Sequence, residues 1–159
     1  MSHDDEIRKE TARLAQIKLD GPAAFARRGQ KVSRKRLAWW DANRERLTQP
    51  DWERLPLLDR AYRIFYLEYL GLDPEEVPIV ERSASRLVVR SANFCPVHAA
   101  CEALGLDTRE VCRAIYEQPV TDLLRQIDPR LRFSRNYEAI RPYAAYCEEM
   151  IEMAGGGEG

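Results

Sequence analysis

The sequence predicts an α+β protein in which leading helices are followed by a small antiparallel sheet packed with helices. Helical periodicity of apolar residues dominates the first half of the chain, and short strand-like runs lie in the second half. The sequence has no internal repeat of about 20 to 50 residues, which would have indicated a solenoid. We expect one domain, with a helical N-terminal region over residues 1–76, an α+β ligand-binding region over 77–153 and a disordered tail over 154–159.

Three helices are expected in the N-terminal region. The first covers residues 4–20, the second covers 33–47 with Ser33 as its N-cap, and the third covers 56–71. The apolar residues of the third recur at helical spacing: Leu58, Tyr62, Phe65 and Tyr69. This spacing predicts that the third helix packs one face into the core.

Six of the ten residues from 27 to 36 are basic, and no acidic residue lies between 21 and 40. Such a stretch can bind phosphate groups. The formal net charge of the whole chain is -1, however, and no nucleic-acid motif accompanies the stretch. We therefore favour a solvated surface, expect no nucleic-acid partner and keep a small anionic ligand as an alternative.

Trp39 and Trp40 follow the basic stretch directly. Two adjacent residues of a helix cannot both face the core, so one of them is expected to cover a partner or the mouth of a pocket. A homo-oligomer is one arrangement that would use such a surface.

The second half begins with two strand-like runs, over residues 77–82 and 86–92, which predict a β-hairpin. Pro96 then predicts the first turn of a helix with Cys95 as its N-cap. The next helix is capped by Asp107 or Thr108, and residues 130–135 alternate like a half-buried strand.

Residues 137–153 fit two structures. A helix would place Ile140, Ala144, Cys147 and Ile151 on one face, whereas a strand would place Cys147, Glu149, Ile151 and Met153 on one face. Periodicity alone leaves both open.

Cys95 is the residue around which the chemistry is expected to be organised. Backbone N–H groups and the helix dipole at a helix N-terminus stabilise a thiolate. They would lower the pKa of Cys95 and make it a nucleophile or a metal ligand. The alternative is that Cys95 is a small buried hydrophobic residue.

A nucleophilic cysteine needs a base and groups that hold the substrate. His98 is the expected base because it lies one helical turn after Cys95. The acidic residues that would otherwise serve are Glu102, Glu138, Glu148 and Asp122. The residues suited to a substrate carboxylate are Arg132, Arg135, Arg141 and Tyr137. The alternative for these arginines is ordinary surface charge.

A metal site is the third possibility. The spacing Cys95-x-x-His98-x-x-Cys101 places neighbouring residues about 60° apart around a helix, so neighbours can share a metal. Further ligands would come from Cys112 and Cys147. The chain has no C-x-x-C pair of the kind found in zinc ribbons and ordinary iron–sulfur motifs, and the metal stays open between zinc and iron.

The composition is that of an ordinary globular protein. The chain has 159 residues, of which 45% are hydrophobic and 32% are charged. It contains no apolar run near 18 residues and begins without a charged and then apolar leader, so we expect a cytoplasmic protein with no membrane partner. The four cysteines are then expected to be reduced thiols, metal ligands or catalytic groups.

Four short motifs resemble the aminothiazoline-carboxylate hydrolase family and, more distantly, the vinyl-reductase-type small-molecule-binding domains. The motifs are Asn93-Phe94-Cys95-Pro96, Gly105-Leu106 followed by Cys112, Pro129-x-Leu131-x-Phe133-x-Arg135, and Cys147 in the closing segment. The resemblance covers residues 86–153. It implies a pocket between helices and a curved sheet, hydrolytic opening of a thiazoline ring, and Cys95, Cys112 and Cys147 as pocket or metal-site residues.

Together these observations predict a small-molecule-binding, hydrolase-like protein that cleaves a C–N or C–S bond of a small anionic substrate. In this hypothesis Cys95 is the nucleophile or a metal ligand, His98 transfers protons, and Arg135 or Arg141 holds the substrate carboxylate. Two alternatives stay open. One is a noncatalytic ligand or redox sensor, and the other is a structural Cys/His metal-binding protein.

Overall fold

Helices cover one face of a four-stranded antiparallel sheet in the computed structural model, which describes residues 1–154. The predicted α+β class with leading helices is confirmed. The α-helices are α1 His3–Asp20, α2 Pro22–Leu47, α3 Pro50–Glu53, α4 Leu57–Tyr62, α5 Pro96–Leu104, α6 Thr108–Val111 and α7 Glu117–Ile127. The strands are β1 Ile79–Arg82, β2 Arg86–Ser91, β3 Leu131–Arg135 and β4 Cys147–Met153. The tail residues 155–159 lie outside the described part of the chain.

Two helices continue as π-helical segments. α4 continues as a π-helical segment, Arg63–Tyr69, and α6 continues as a second one, Cys112–Tyr116, which leads into α7. A single 3₁₀ turn, Pro74–Glu76, precedes the sheet. π-Helical segments are rare and occur frequently at functional sites.

The prediction that Ser33 begins a helix is wrong. α2 begins at Pro22, and Gly21, with φ of +93°, separates it from α1. Proline is favoured at the first helical position because it has no N–H to leave unpaired there. Ser33 lies in mid-helix, and its hydroxyl donates to the carboxylate of Asp122 on α7.

The strand order in the sheet is β1-β2-β4-β3, and every neighbouring pair is antiparallel. The predicted hairpin of β1 and β2 is confirmed, and so is Cys95 as the residue that precedes α5. Residues 147–153 adopt the strand alternative and lie between β2 and β3. Strand alternation therefore places Cys147, Glu149 and Ile151 on one face.

Two hydrophobic cores hold these elements together. The larger one joins α2, α4 and α7 to the sheet through residues such as Phe65, Leu124 and Ile151. The smaller one joins α1, α2 and α5, with Leu14 and Cys101 among its fully buried residues. Each core takes residues from both sides of position 77. No helix within residues 1–154 has the length and apolar character needed to cross a membrane.

Trp39 and Trp40 differ in burial, as expected for adjacent residues of a helix. Trp40 is buried in the larger core, whereas Trp39 is half-buried and packs edge-on against Tyr69, with ring centroids 5.0 Å apart. Trp39 thus covers the outside of the π-helical segment that follows α4.

Candidate functional site

A cavity of about 310 Å³ contains most of the residues that the sequence singled out. Residues from both cores contribute to its walls, Phe65 and Tyr66 from the larger one and Val97 and Tyr116 from the smaller one. Its ionisable lining residues are Glu10, Arg36, Tyr66, Cys95, Cys112, Tyr116, Arg135, Arg141, Cys147 and Glu149. We call it the Cys95 cavity.

The sheet provides a buried ion pair in this cavity. β3 and β4 pair so that Arg135 lies opposite Glu149, and the Arg135 Nε donates to Glu149 Oε2 over 3.1 Å. The hydroxyl of Tyr66 donates to Glu149 Oε1 over 2.8 Å. Both oxygens of a carboxylate that is only 7% exposed are therefore hydrogen-bonded. Burial and the adjacent carboxylate raise the pKa of Tyr66, so the phenol stays a neutral donor.

Arg36 reaches the cavity from α2. Val32 and Trp40, one helical turn before and after it, are buried in the cores, so Arg36 lies on the inward face of the helix. Its guanidinium carbon lies 5.5 Å and 5.4 Å from the ring centroids of Phe65 and Tyr69. Its Nε and Nη1 are buried and have no hydrogen-bond partner within residues 1–154. Burial lowers the pKa of Arg36, which means that the folded protein disfavours this charge.

Arg141 enters the cavity from the segment between β3 and β4. Its backbone N and its Nε each lie 3.4 Å from the sulfur of Cys147, and its Nη1 donates to the Asn93 carbonyl over 2.6 Å. The Thr108 hydroxyl donates to the Arg141 carbonyl over 2.8 Å. These contacts orient a guanidinium group whose partners are neutral.

The expectation that Cys95 has a lowered pKa is wrong. Burial raises the pKa of Cys95. The backbone N–H groups of His98 and Val97 and the Arg141 guanidinium act in the opposite direction but are outweighed. Burial likewise raises the pKa of Cys112, on the second π-helical segment, to about 12. Both sulfurs are therefore protonated thiols at neutral pH.

Three predicted site residues lie elsewhere. His98 is half-buried on α5, does not line the cavity, and its buried Nε2 has no partner in the described part of the chain. The Tyr137 hydroxyl donates to Glu117 over 2.8 Å, and the guanidinium of Arg113 lies over its ring. Arg132 points outward from β3 and faces Glu152 at 3.8 Å. The structure brings together Cys95, Cys112, Cys147, Arg135 and Arg141.

The acidic residues considered as alternative bases do not line the cavity either. Asp122 accepts from Ser33, and Glu148 is held by Arg90 and Asn136. Glu102 and Glu138 are exposed. The carboxylates that line the cavity are those of Glu10 and Glu149.

The three cysteines of the cavity do not form a metal-ligand set. Within residues 1–154, no group of three or more His, Cys, Asp and Glu side chains has an arrangement that could hold a metal ion. The predicted zinc or iron site of Cys95, Cys112 and Cys147 thus gains no support from the geometry, although the three thiols line one cavity.

Sequence reasoning did not single out Arg36, Glu10 or Glu149 as site residues, although Arg36 belongs to the basic stretch for which a small anionic ligand was kept as an alternative. The sequence signal for Arg36 and Glu10 was their position on the helix, because each lies on the same face as apolar residues one turn away. The two series are Val32-Arg36-Trp40 on α2 and Glu10-Leu14-Ile17 on α1. Glu149 alternates with Cys147 and Ile151, so its burial follows once residues 147–153 are recognised as a strand.

The geometry of the cavity is the basis for assigning a function. Glu10 is buried on α1, where the Arg13 guanidinium donates to it over 2.7 Å and the Tyr116 hydroxyl donates over 3.2 Å. The cavity thus holds three guanidinium groups, two carboxylates and three thiols beside apolar side chains. Comparisons with models of protein families, with curated proteins and with solved structures found no match to this chain.

Proposed function

We propose that this protein binds a small organic anion in the Cys95 cavity. The observation that carries the proposal is the state of Arg36, a residue with 8% exposure whose buried Nε and Nη1 have no hydrogen-bond partner and whose guanidinium has no carboxylate partner among the described residues. An unpaired charge is costly to bury and is uncommon in protein interiors. An anionic ligand would compensate it.

The remaining charges of the cavity favour the same ligand class. Glu149 is paired with Arg135, and Glu10 is paired with Arg13, whose side chain lies outside the cavity. The Nη1 of Arg135 is also buried without a partner in residues 1–154. Guanidinium groups bind carboxylates through two parallel hydrogen bonds. Apolar lining residues such as Phe94 and Val97 would contact the body of the ligand.

The binding proposal can be tested by calorimetric titration with 2-aminothiazoline-4-carboxylate at low salt. We expect saturable binding to the unmodified protein and a 10- to 100-fold weaker affinity for Arg36→Gln, on the order of a lost charge-assisted hydrogen bond of about 1.5–3 kcal/mol. The matched control is Arg44→Gln, which removes an exposed guanidinium from the same helix and should leave the affinity unchanged.

Two results would count against binding at this site. Equal affinities of Arg36→Gln and the unmodified protein would place the ligand elsewhere. Equal losses in Arg36→Gln and Arg44→Gln would indicate a general effect of surface charge rather than a bound anion.

Hydrolysis of a C–N or C–S bond is the reaction that we propose for this cavity. The support is the resemblance to aminothiazoline-carboxylate hydrolases together with the position of Cys95 in the same cavity as Arg141 and Glu149. The Cys95 sulfur would bond to the ring carbon while its proton passes to the departing nitrogen or sulfur. Water would then displace Cys95 and return a proton to it. Glu10 and Glu149 are the carboxylates available as proton acceptors, since His98 does not line the cavity.

The reaction can be tested by incubating the protein with 2-aminothiazoline-4-carboxylate and following ring opening by mass spectrometry. We expect turnover by the unmodified protein and a loss of at least a hundredfold in Cys95→Ala, because a nucleophile cannot be replaced by a methyl group. Cys101→Ala, at a buried thiol outside the cavity, is the matched control and should retain turnover.

Full turnover by Cys95→Ala would overturn the nucleophilic role. Binding without any turnover would favour the noncatalytic ligand sensor and leave the anion-binding proposal intact.

A further inference from the structure

The charges that line the Cys95 cavity do not balance. Arg135 is matched by Glu149, and Glu10 is matched by Arg13. Arg36 and Arg141 are the two remaining guanidinium groups, and neither has a carboxylate partner within residues 1–154. The cavity therefore has two positive charges without a counter-charge.

These two charges are held by separate sets of residues. Arg36 lies against the rings of Phe65 and Tyr69, whereas Arg141 is oriented by the Asn93 carbonyl and by the sulfur of Cys147. They come from different elements, α2 and the segment that leads into β4. One carboxylate held by the first set would leave the second guanidinium group unpaired.

We propose that the natural ligand is a small dicarboxylate with an apolar body, one carboxylate binding Arg36 and the other binding Arg141. This inference rests on the proposed anion-binding function and specifies its ligand class. Two carboxylates would supply one counter-charge to each guanidinium group, in the planar geometry that guanidinium groups bind best. Phe94, Val97 and Leu70 line the same cavity and suit a hydrocarbon body. A volume of about 310 Å³ suits a short acid.

The test compares acids that differ only in the second carboxylate. Glutarate and pentanoate form one pair, adipate and hexanoate form another, and each is titrated calorimetrically into the full chain at pH 7.5. We expect at least one dicarboxylate to bind about tenfold or more tightly than its monocarboxylate, on the scale of one added charge-assisted contact. It should also bind more tightly than 2-aminothiazoline-4-carboxylate, which has one carboxylate.

Variants show whether each charge acts as proposed. Arg36→Gln and Arg141→Gln should each reduce dicarboxylate affinity to about the level of the monocarboxylate. A monocarboxylate occupies only one of the two guanidinium groups, and the variant that keeps this group should bind the monocarboxylate about as tightly as the unmodified protein. Arg141→Lys keeps the charge and should retain part of the preference for the second carboxylate, even if Arg141→Gln folds poorly. Arg44→Gln should bind both acids of a pair like the unmodified protein.

The outcomes separate this inference from the proposed function. If monocarboxylates bind as tightly as dicarboxylates, or if Arg141→Gln keeps the full preference, the dicarboxylate proposal is overturned while anion binding stands. If 2-aminothiazoline-4-carboxylate binds and no dicarboxylate does, the dicarboxylate proposal is likewise overturned and anion binding stands. If none of these anions binds, both proposals are overturned.

Discussion

Replacing Arg135 with glutamine is expected to lower the free energy of unfolding by about 3–5 kcal/mol, the range for breaking a buried ion pair. The reason is Glu149, which is 7% exposed and would remain charged without its cationic partner. Glutamine can replace one hydrogen bond but not the charge. Urea unfolding followed by circular dichroism measures this change.

The sheet supplies a matched control for this substitution. Arg132 lies on the same strand, but its side chain is 57% exposed, and its Nη2 lies 3.8 Å from the Oε2 of Glu152. Arg132→Gln should therefore change stability by no more than about 0.5 kcal/mol. The double variant Arg135→Gln with Glu149→Gln should recover part of the loss, because no charge remains buried and unpaired. An equally small effect of Arg135→Gln and Arg132→Gln would show that the pair is solvated.

Replacing Arg36 with methionine is expected to have the opposite sign, and to raise the free energy of unfolding of the ligand-free protein by about 1–2 kcal/mol. Methionine has a similar reach and needs no hydrogen-bond partner. Two contributions oppose each other at this position. The loss of the cation–π contacts with Phe65 and Tyr69 reduces the gain, whereas removal of an uncompensated buried charge produces it. We expect the second contribution to be the larger one, because the buried Nε and Nη1 of Arg36 have no hydrogen-bond partner within residues 1–154.

Thermal unfolding measures this gain, with Arg44→Met as the control on the exposed side of α2. A rise in the melting temperature confined to Arg36→Met, together with loss of ligand-induced stabilisation, would show that Arg36 is retained for binding at a cost in stability. A fall in the melting temperature would mean that the aromatic contacts already compensate the charge, and it would weaken the argument for an anionic ligand.

Local signals in the sequence were sufficient for α5 and the hairpin. Pro96 marks the first turn of α5, and Gly105, with φ of +65°, ends it. The start of α2 was missed because Ser33 is a good N-cap residue in isolation. Its actual partner, Asp122, is distant in sequence, so no local pattern indicates that contact.

The sequence was sufficient to identify the cysteines of the cavity, Arg135 and Arg141, but not the balance of charges in the cavity. Arg36 lies in a run of basic residues, and such residues are almost always exposed, so composition favoured a solvated surface. Its burial depends on the packing of α2 against the π-helical segment with Phe65 and Tyr69. The lowered pKa expected for Cys95 failed for a similar reason, because local helix geometry does not include the desolvation that tertiary packing imposes.

The strand order β1-β2-β4-β3 also determines when the cavity can form during synthesis. β2 and β3 each pair with β4 and not with each other, and β4 is the last of the four strands to leave the ribosome. Until it does, the β1-β2 hairpin has an open edge, and β3 has no partner strand. Glu149 and Cys147 arrive with β4, so nascent chains hold Arg135 without its counter-charge. Folding of the site therefore has to wait until β4 has been synthesised, even though the helices that surround it can form earlier.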